Sequence, residues 1–152
     1  MHWVIRRDGS MSEKKSEKER FVFSTGKRKT AVARARIISG TGRVEINEVP
    51  LDLWEPEYSR LRIREPLMLA DELSQKVDIV VNVKHGGVSS QADAVRQAIA
   101  KGMVDFFKDE KLKNLYLDYD RNLLVYDPRR TEPHKPSRSR KGARRHKQRS
   151  KR

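Results

Sequence analysis

The last 25 residues, Pro128 to Arg152, hold twelve Lys or Arg against one acid, Glu132, and contain no Val, Ile, Leu, Met, Phe, Tyr or Trp. Ordering a residue costs roughly 1–2 kcal/mol, and this segment has no large apolar side chains to offset that cost. By itself it is predicted to be an extended, disordered basic tail. Its net +11 leaves only +3 of the chain's +14 for the other 127 residues. Arginine outnumbers lysine there eight to four, which favours forked phosphate contacts over simple charge neutralisation. A one-signed basic block attracts nucleic acid, whereas solubility is better served by mixed or acidic residues. RNA or DNA is therefore the expected partner, with a merely solubilising end as the plainer alternative.

The rest divides in two. Residues 21–127 hold 33 Leu, Ile, Val or Phe in 107, well above the roughly 20% that marks disorder, and are predicted to fold as one domain. Residues 1–20 mix six basic and four acidic residues around Ser and Gly and read as a mobile leader, within which Met11 is a second candidate start. The chain lacks cysteine, so neither a disulfide framework nor a thiolate zinc site is expected. No apolar run approaches the roughly 18 residues that span a bilayer, and the first residues lack a signal-peptide core. A soluble chain of the cytoplasm, without membrane contact, is expected.

Within the domain, Ala31, Ala33, Ala35 and Ile37 alternate with Arg34 and Arg36, predicting a strand over 30–38 with one buried and one basic face. Ser39-Gly40-Thr41-Gly42 then suggests a tight reversal into a hairpin with Val44 and Ile46. Pro66 suits the first position of a helix carrying Leu67, Leu69, Ala70 and Leu73. Val77 to Val83 is apolar enough to be a central strand. Ser90 and Asp93 resemble a capping box ahead of a helix whose Val95, Ala98, Ile99, Gly102, Met103 and Phe106 recur at helical spacing. Leu112 to Tyr119 reads as a further helix and Leu123 to Tyr126 as a final strand. The expected order is β, β, helix, β, helix, helix, β.

Lys27, Arg28 and Lys29, beside Gly26, are expected on a loop whose backbone can approach phosphate closely. With Arg34 and Arg36 they would form one basic surface. His85-Gly86-Gly87-Val88-Ser89-Ser90 precedes a helix, where free amide N–H groups and the helix dipole favour an anion. Small-molecule kinases have a similar loop, which makes a nucleotide-using enzyme the rival class; a DNA-packaging binder is a third. Phosphoryl transfer, however, needs a magnesium-holding acid and a dedicated substrate pocket, and the chain shows neither a Walker lysine motif nor spare length for a second lobe. The histidines at 2, 85, 134 and 146 lack metal-ligand spacing. No catalytic residue, metal or cofactor is expected. Arg96, off the apolar stripe, faces either RNA or solvent.

Four ordered motifs carry a resemblance: Gly26-Lys27-Arg28-Lys29-Thr30-Ala31-Val32-Ala33-Arg34; Gly86 through Arg96; Leu123-Leu124-Val125 with Asp127-Pro128-Arg129; and Arg145, Gln148 and Ser150-Lys151-Arg152 at the end. Over residues 21–152 the chain resembles the universal ninth protein of the small ribosomal subunit. Arg149 before the final Ser-Lys-Arg makes it more similar to the archaeal and eukaryotic branch than to the bacterial one. The resemblance implies an α/β fold of two-layer α+β type: a four-stranded mixed sheet with helices on one face, and a basic tail running through ribosomal RNA. The implied partners are 16S-type ribosomal RNA, peptidyl-site tRNA and neighbouring small-subunit proteins. Expected ribosomal RNA contacts are Lys27, Arg28, Lys29, Arg34, Arg36, Gly86, Gly87, Arg129, Arg130, Arg138, Arg140, Lys141, Arg144 and Arg145. Ser150, Lys151 and Arg152 match the residues that meet the anticodon stem-loop. Fully extended, the tail reaches about 80 Å, far beyond a domain whose radius of gyration is near 13 Å.

Overall fold

The computed structural model describes residues 21–133. Five strands form one mixed sheet: β1 (Phe21–Arg28), β2 (Ala31–Ser39), β3 (Val44–Ile46), β4 (Val49–Pro50) and β5 (Val77–Lys84), in the spatial order β1-β2-β5-β3-β4. Three helices accompany it: α1 (Glu57–Ala70), α2 (Val88–Phe107) and α3 (Glu110–Tyr119). The two-layer α+β class expected from the sequence is the one found; β2, β3 and β5 match expected strands, while β1 and the two-residue edge strand β4 are additions.

The alternation in β2 does what it predicts. Ala31, Ala33, Ala35 and Ile37 are buried, while Arg34 and Arg36 stand on the opposite, open face. α2 lies across β1 and β2 on the buried side and packs in turn against α1 and α3. All six residues of its expected stripe, Val95, Ala98, Ile99, Gly102, Met103 and Phe106, are buried.

Several expectations are corrected. The hairpin partner of β2 is β1, paired antiparallel from Phe21↔Ile38 to Arg28↔Ala31, leaving Lys29-Thr30 as the reversal. Lys27 and Arg28 are thus strand residues. β1 is hard to read because its inward positions are Ser24 and Gly26, small residues that resemble a loop. They are small because α2 sits close: Ser24 Oγ donates to the Ala98 carbonyl at 2.7 Å, and a Cβ on Gly26 would fall 2.0 Å from the Ala94 carbonyl oxygen. Gly26 therefore serves packing against α2.

β2 and β3 do not pair. β5 lies between them, antiparallel to β2 and parallel to β3. The Ser39–Gly42 segment turns, but it turns around Asp78 of β5, whose Oδ1 accepts from the Thr41 and Arg43 amides at 2.8 and 2.9 Å. These amide donors, Arg43 first, hold the Asp78 carboxyl below its ordinary range. Asn47 extends the β3–β5 ladder by imitating a peptide: its side chain donates to the Val83 carbonyl at 3.1 Å and accepts from the Val83 amide at 2.8 Å.

α1 begins at Glu57, nine residues before Pro66, which lies inside it. The upstream half was opaque because Arg60-Leu61-Arg62-Ile63-Arg64 alternates like a strand, although only Ile63 of these is buried. Pro66 lacks the N–H that would close a helical bond. The buried Tyr116 hydroxyl from α3 donates to the Pro66 carbonyl at 2.8 Å and ties the two helices. Ser90 and Asp93 form no capping box. The N-cap of α2 is Gly87, with no side-chain cap, and Asp93 instead forms ion pairs with Arg28 and Arg62. The expected last strand over Leu123 to Tyr126 does not form: a 3-10 turn covers Arg121–Leu123, started by Asp120 accepting from the Asn122 amide, and a single parallel bridge between Arg28 and Asp127 follows. Arg96 faces neither RNA nor solvent: it is 8% exposed and pairs with Glu65 and, at 2.6 Å, with Asp120.

Candidate nucleic-acid interface

Strand register decides where the cations gather. Lys27 sits opposite Val32, and Val32 opposite Lys84, while the β1–β2 reversal carries Lys29. β5 then leads through His85, Gly86 and Gly87 into α2. One end of the sheet thus collects Lys27, Lys29, Lys84, His85, Gly86 and Gly87, and the Arg28–Asp127 bridge brings the root of the tail to the same end. Arg34 and Arg36 continue the charge along the open face. Among the described residues, none of Lys27, Lys29, Arg34, Arg36 and Lys84 forms an ion pair. Val32, Arg34, Asn82, Lys84 and His85 line a cleft of about 310 Å³ on that face.

Local backbone reinforces the pattern. Lys29 holds φ 53°, a left-handed conformation that glycine adopts at lower cost, so the reversal keeps a cation where another residue would be easier to place. Gly86 has φ +73° and packs tightly: a Cβ there would lie 2.8 Å from the Ala31 Cβ. Gly87 differs, since a Cβ on it would meet nothing within 4 Å. With no side-chain cap on α2, the first-turn amides are open to an anion.

A second cluster governs the tail's departure. Asp127 forms an ion pair with Arg28 at 3.0 Å and accepts from the Arg129 amide at 3.0 Å and from Arg129 Nη2 at 2.6 Å. Hydrogen bonds from the Arg129 side chain and amide, with smaller contributions from the charges of Arg129 and Arg28, hold the Asp127 carboxyl down to about 2. Arg28 also approaches Asp93 at 3.7 Å, and Arg62 reaches Asp93 at 3.2 Å. Arg28 is therefore engaged within the protein as part of a latch at the tail's root. Arg129 shares that latch but stays largely exposed, and Arg130 donates weakly to the Tyr126 hydroxyl at 3.4 Å. Arg138, Arg140, Lys141, Arg144, Arg145, Ser150, Lys151 and Arg152 lie outside the described residues.

Sequence reasoning missed Lys84, visible only as the last polar member of the β5 alternation, and Arg62, hidden in a charged run. It also passed over Phe21 and Phe23, which share the open face.

A small two-layer head that gathers cations at the end from which a basic segment departs has the build of a nucleic-acid-associated structural protein. The sequence profile of the family described as Ribosomal protein S9/S16 matches residues 26–152, and the chain belongs to that family. It is 49% identical over 129 residues to "Small ribosomal subunit protein uS9" of Methanococcus vannielii, covering 85% of this chain and 96% of that one. Proteins of the same name from Pyrobaculum aerophilum and Desulfurococcus amylolyticus are 57% identical over 120 residues and 51% over 125, covering 79% and 82% of this chain and 84% and 89% of theirs. The chain is thus of archaeal-like type, a structural constituent of the small ribosomal subunit in the cytoplasm, and not an enzyme. Among the described residues no helix is long and apolar enough to cross a membrane.

Proposed function

We propose that the domain binds small-subunit ribosomal RNA through the end of the sheet bearing Lys27, Lys29 and Lys84, with Arg34 and Arg36 extending the contact, and that the tail continues it to peptidyl-site tRNA. The observation that carries this reading is the convergence of unpaired cations and the tail root at one end of the sheet. The division into a leader at 1–20, a head at 21–127 and a basic tail at 128–152 belongs to the same proposal. Gly86 and Gly87 contribute open amides at the α2 start, and Arg129, Arg130, Arg138, Arg140, Lys141, Arg144 and Arg145 contact phosphates along the tail. The tail is ordered by phosphate contacts and counterion release instead of apolar burial. Ser150, Lys151 and Arg152 contact the anticodon stem-loop through its backbone. Backbone contacts carry no base information, which suits a site that receives every tRNA.

Two truncations test it. Removing Ser150 to Arg152 is expected to leave subunit yield intact while weakening peptidyl-site tRNA affinity, whereas removing everything from Arg129 is expected to lower subunit yield. Failed assembly with normal tRNA affinity after the short truncation would overturn the assignment.

A further inference from the structure

We propose that the open face of β1 and β2 is a stacking platform for unpaired RNA bases, with Phe21 and Phe23 receiving the bases and Arg34 and Arg36 the adjoining phosphates. This rests on the RNA-binding reading above and adds a second mode of contact to it. Phe21 and Phe23 are 54% and 68% exposed, two residues apart on an edge strand, with ring centroids 5.5 Å apart at 67°. Exposed rings on a sheet edge invite aggregation unless something covers them. Register sets Arg36 beside Phe23 and Val80 beside Arg36, and the Arg36 guanidinium lies 5.9 Å from the Phe21 ring centre. Aromatic faces interleaved with guanidinium groups suit single-stranded nucleic acid, because every base has a π-face and every linkage a phosphate.

Charge selects this occupant over an apolar protein surface. Covering the rings with such a surface would strip water from Arg34 and Arg36 without supplying partners, whereas RNA supplies a phosphate for each. The β1 and β2 strands place no carboxylate on this face, and Asp78 on β5 is occupied by the Thr41 and Arg43 amides. A duplex is disfavoured too, since its bases are stacked internally and offer the rings no free face.

The test uses the full chain, a single-stranded oligoadenylate containing a fluorescent adenine analogue, and an RNA duplex of equal length. The Phe21→Leu/Phe23→Leu variant keeps apolar bulk but removes the rings; an unchanged melting temperature would verify its fold. The parent should quench the analogue. The variant should lose that quench and bind the single strand roughly 5- to 150-fold more weakly, with duplex affinity unchanged. Equal single-strand affinity and quench in parent and variant would overturn stacking, while duplex binding that still depends on Lys27 and Lys84 would leave the RNA-binding reading standing. If neither RNA form binds, both readings fall. If quenching appears only after residues 1–20 are deleted, the leader occupies the face and the proposal fails.

Discussion

Gly26 illustrates how much a single residue can conceal. Beside Lys27, Arg28 and Lys29 it looks like a hinge that lets backbone approach phosphate, yet its hydrogen faces α2, and an added Cβ would lie 2.0 Å from the Ala94 carbonyl oxygen and 2.7 Å from the Ala98 amide nitrogen. Both obstacles are backbone and cannot turn aside. Gly26→Ala should therefore destabilise the domain by at least the upper part of the ~1–3 kcal/mol typical of overpacking, measured by denaturant unfolding. Arg96 misleads in the opposite sense. An arginine off an apolar stripe reads as a surface residue, but Glu65 and Asp120 converge on it from other elements and make burial tolerable. Neither partner can be inferred from residues near 96.

Between elements, the informative junction is where the sheet hands the chain to its tail. One carboxylate, Asp127, joins the last residue of β1 to the first arginine of the basic segment, so the tail's direction is tied to the edge strand. Asp127 is held at about 2 in the folded protein, against about 3.9 for an ordinary aspartate. Because the folded value is depressed, the latch contributes fully above about pH 4 and is lost as pH falls through about 2. The Arg129 amide resonance, whose N–H donates to Asp127, should accordingly titrate with a midpoint near 2. Asp127→Asn should abolish that titration. At this scale the sequence was only partly legible. β2, β5, α2 and α3 follow from alternation and helical spacing, whereas the pattern shows α1 only from Pro66 onward and makes β1 look like a loop. Both failures have one cause: the inward residues were small, sparse or proline, and their fit depends on an element distant in sequence.

For the whole molecule, charge separation is the dominant fact. A head of near-balanced charge carries a tail with a net +11, so affinity for RNA should respond to salt mainly through the tail. Each phosphate contact adds roughly 0.7–0.9 to the steepness of log K against log salt. Truncation from Arg129 should make that slope shallower by several units, while Lys27→Ala/Lys84→Ala should change it by about one or two. Filter-binding titrations across salt concentrations would read both, and a slope insensitive to the tail would contradict the proposed division.

Patterns of period two and period 3.6, together with a run of unopposed cations, are local properties. They sufficed for the central strand, the buried stripe of α2 and the expectation of a polyanion partner, while the two-layer class came from the resemblance of four ordered motifs to a known family. The placement of β5 between β2 and β3, the convergence of Lys27, Lys84 and the tail root, and the exposure of Phe21 and Phe23 came only with the folded chain. These depend on which strands become neighbours. That choice is made by contacts such as Asp78 with the Thr41 and Arg43 amides, between residues more than thirty positions apart.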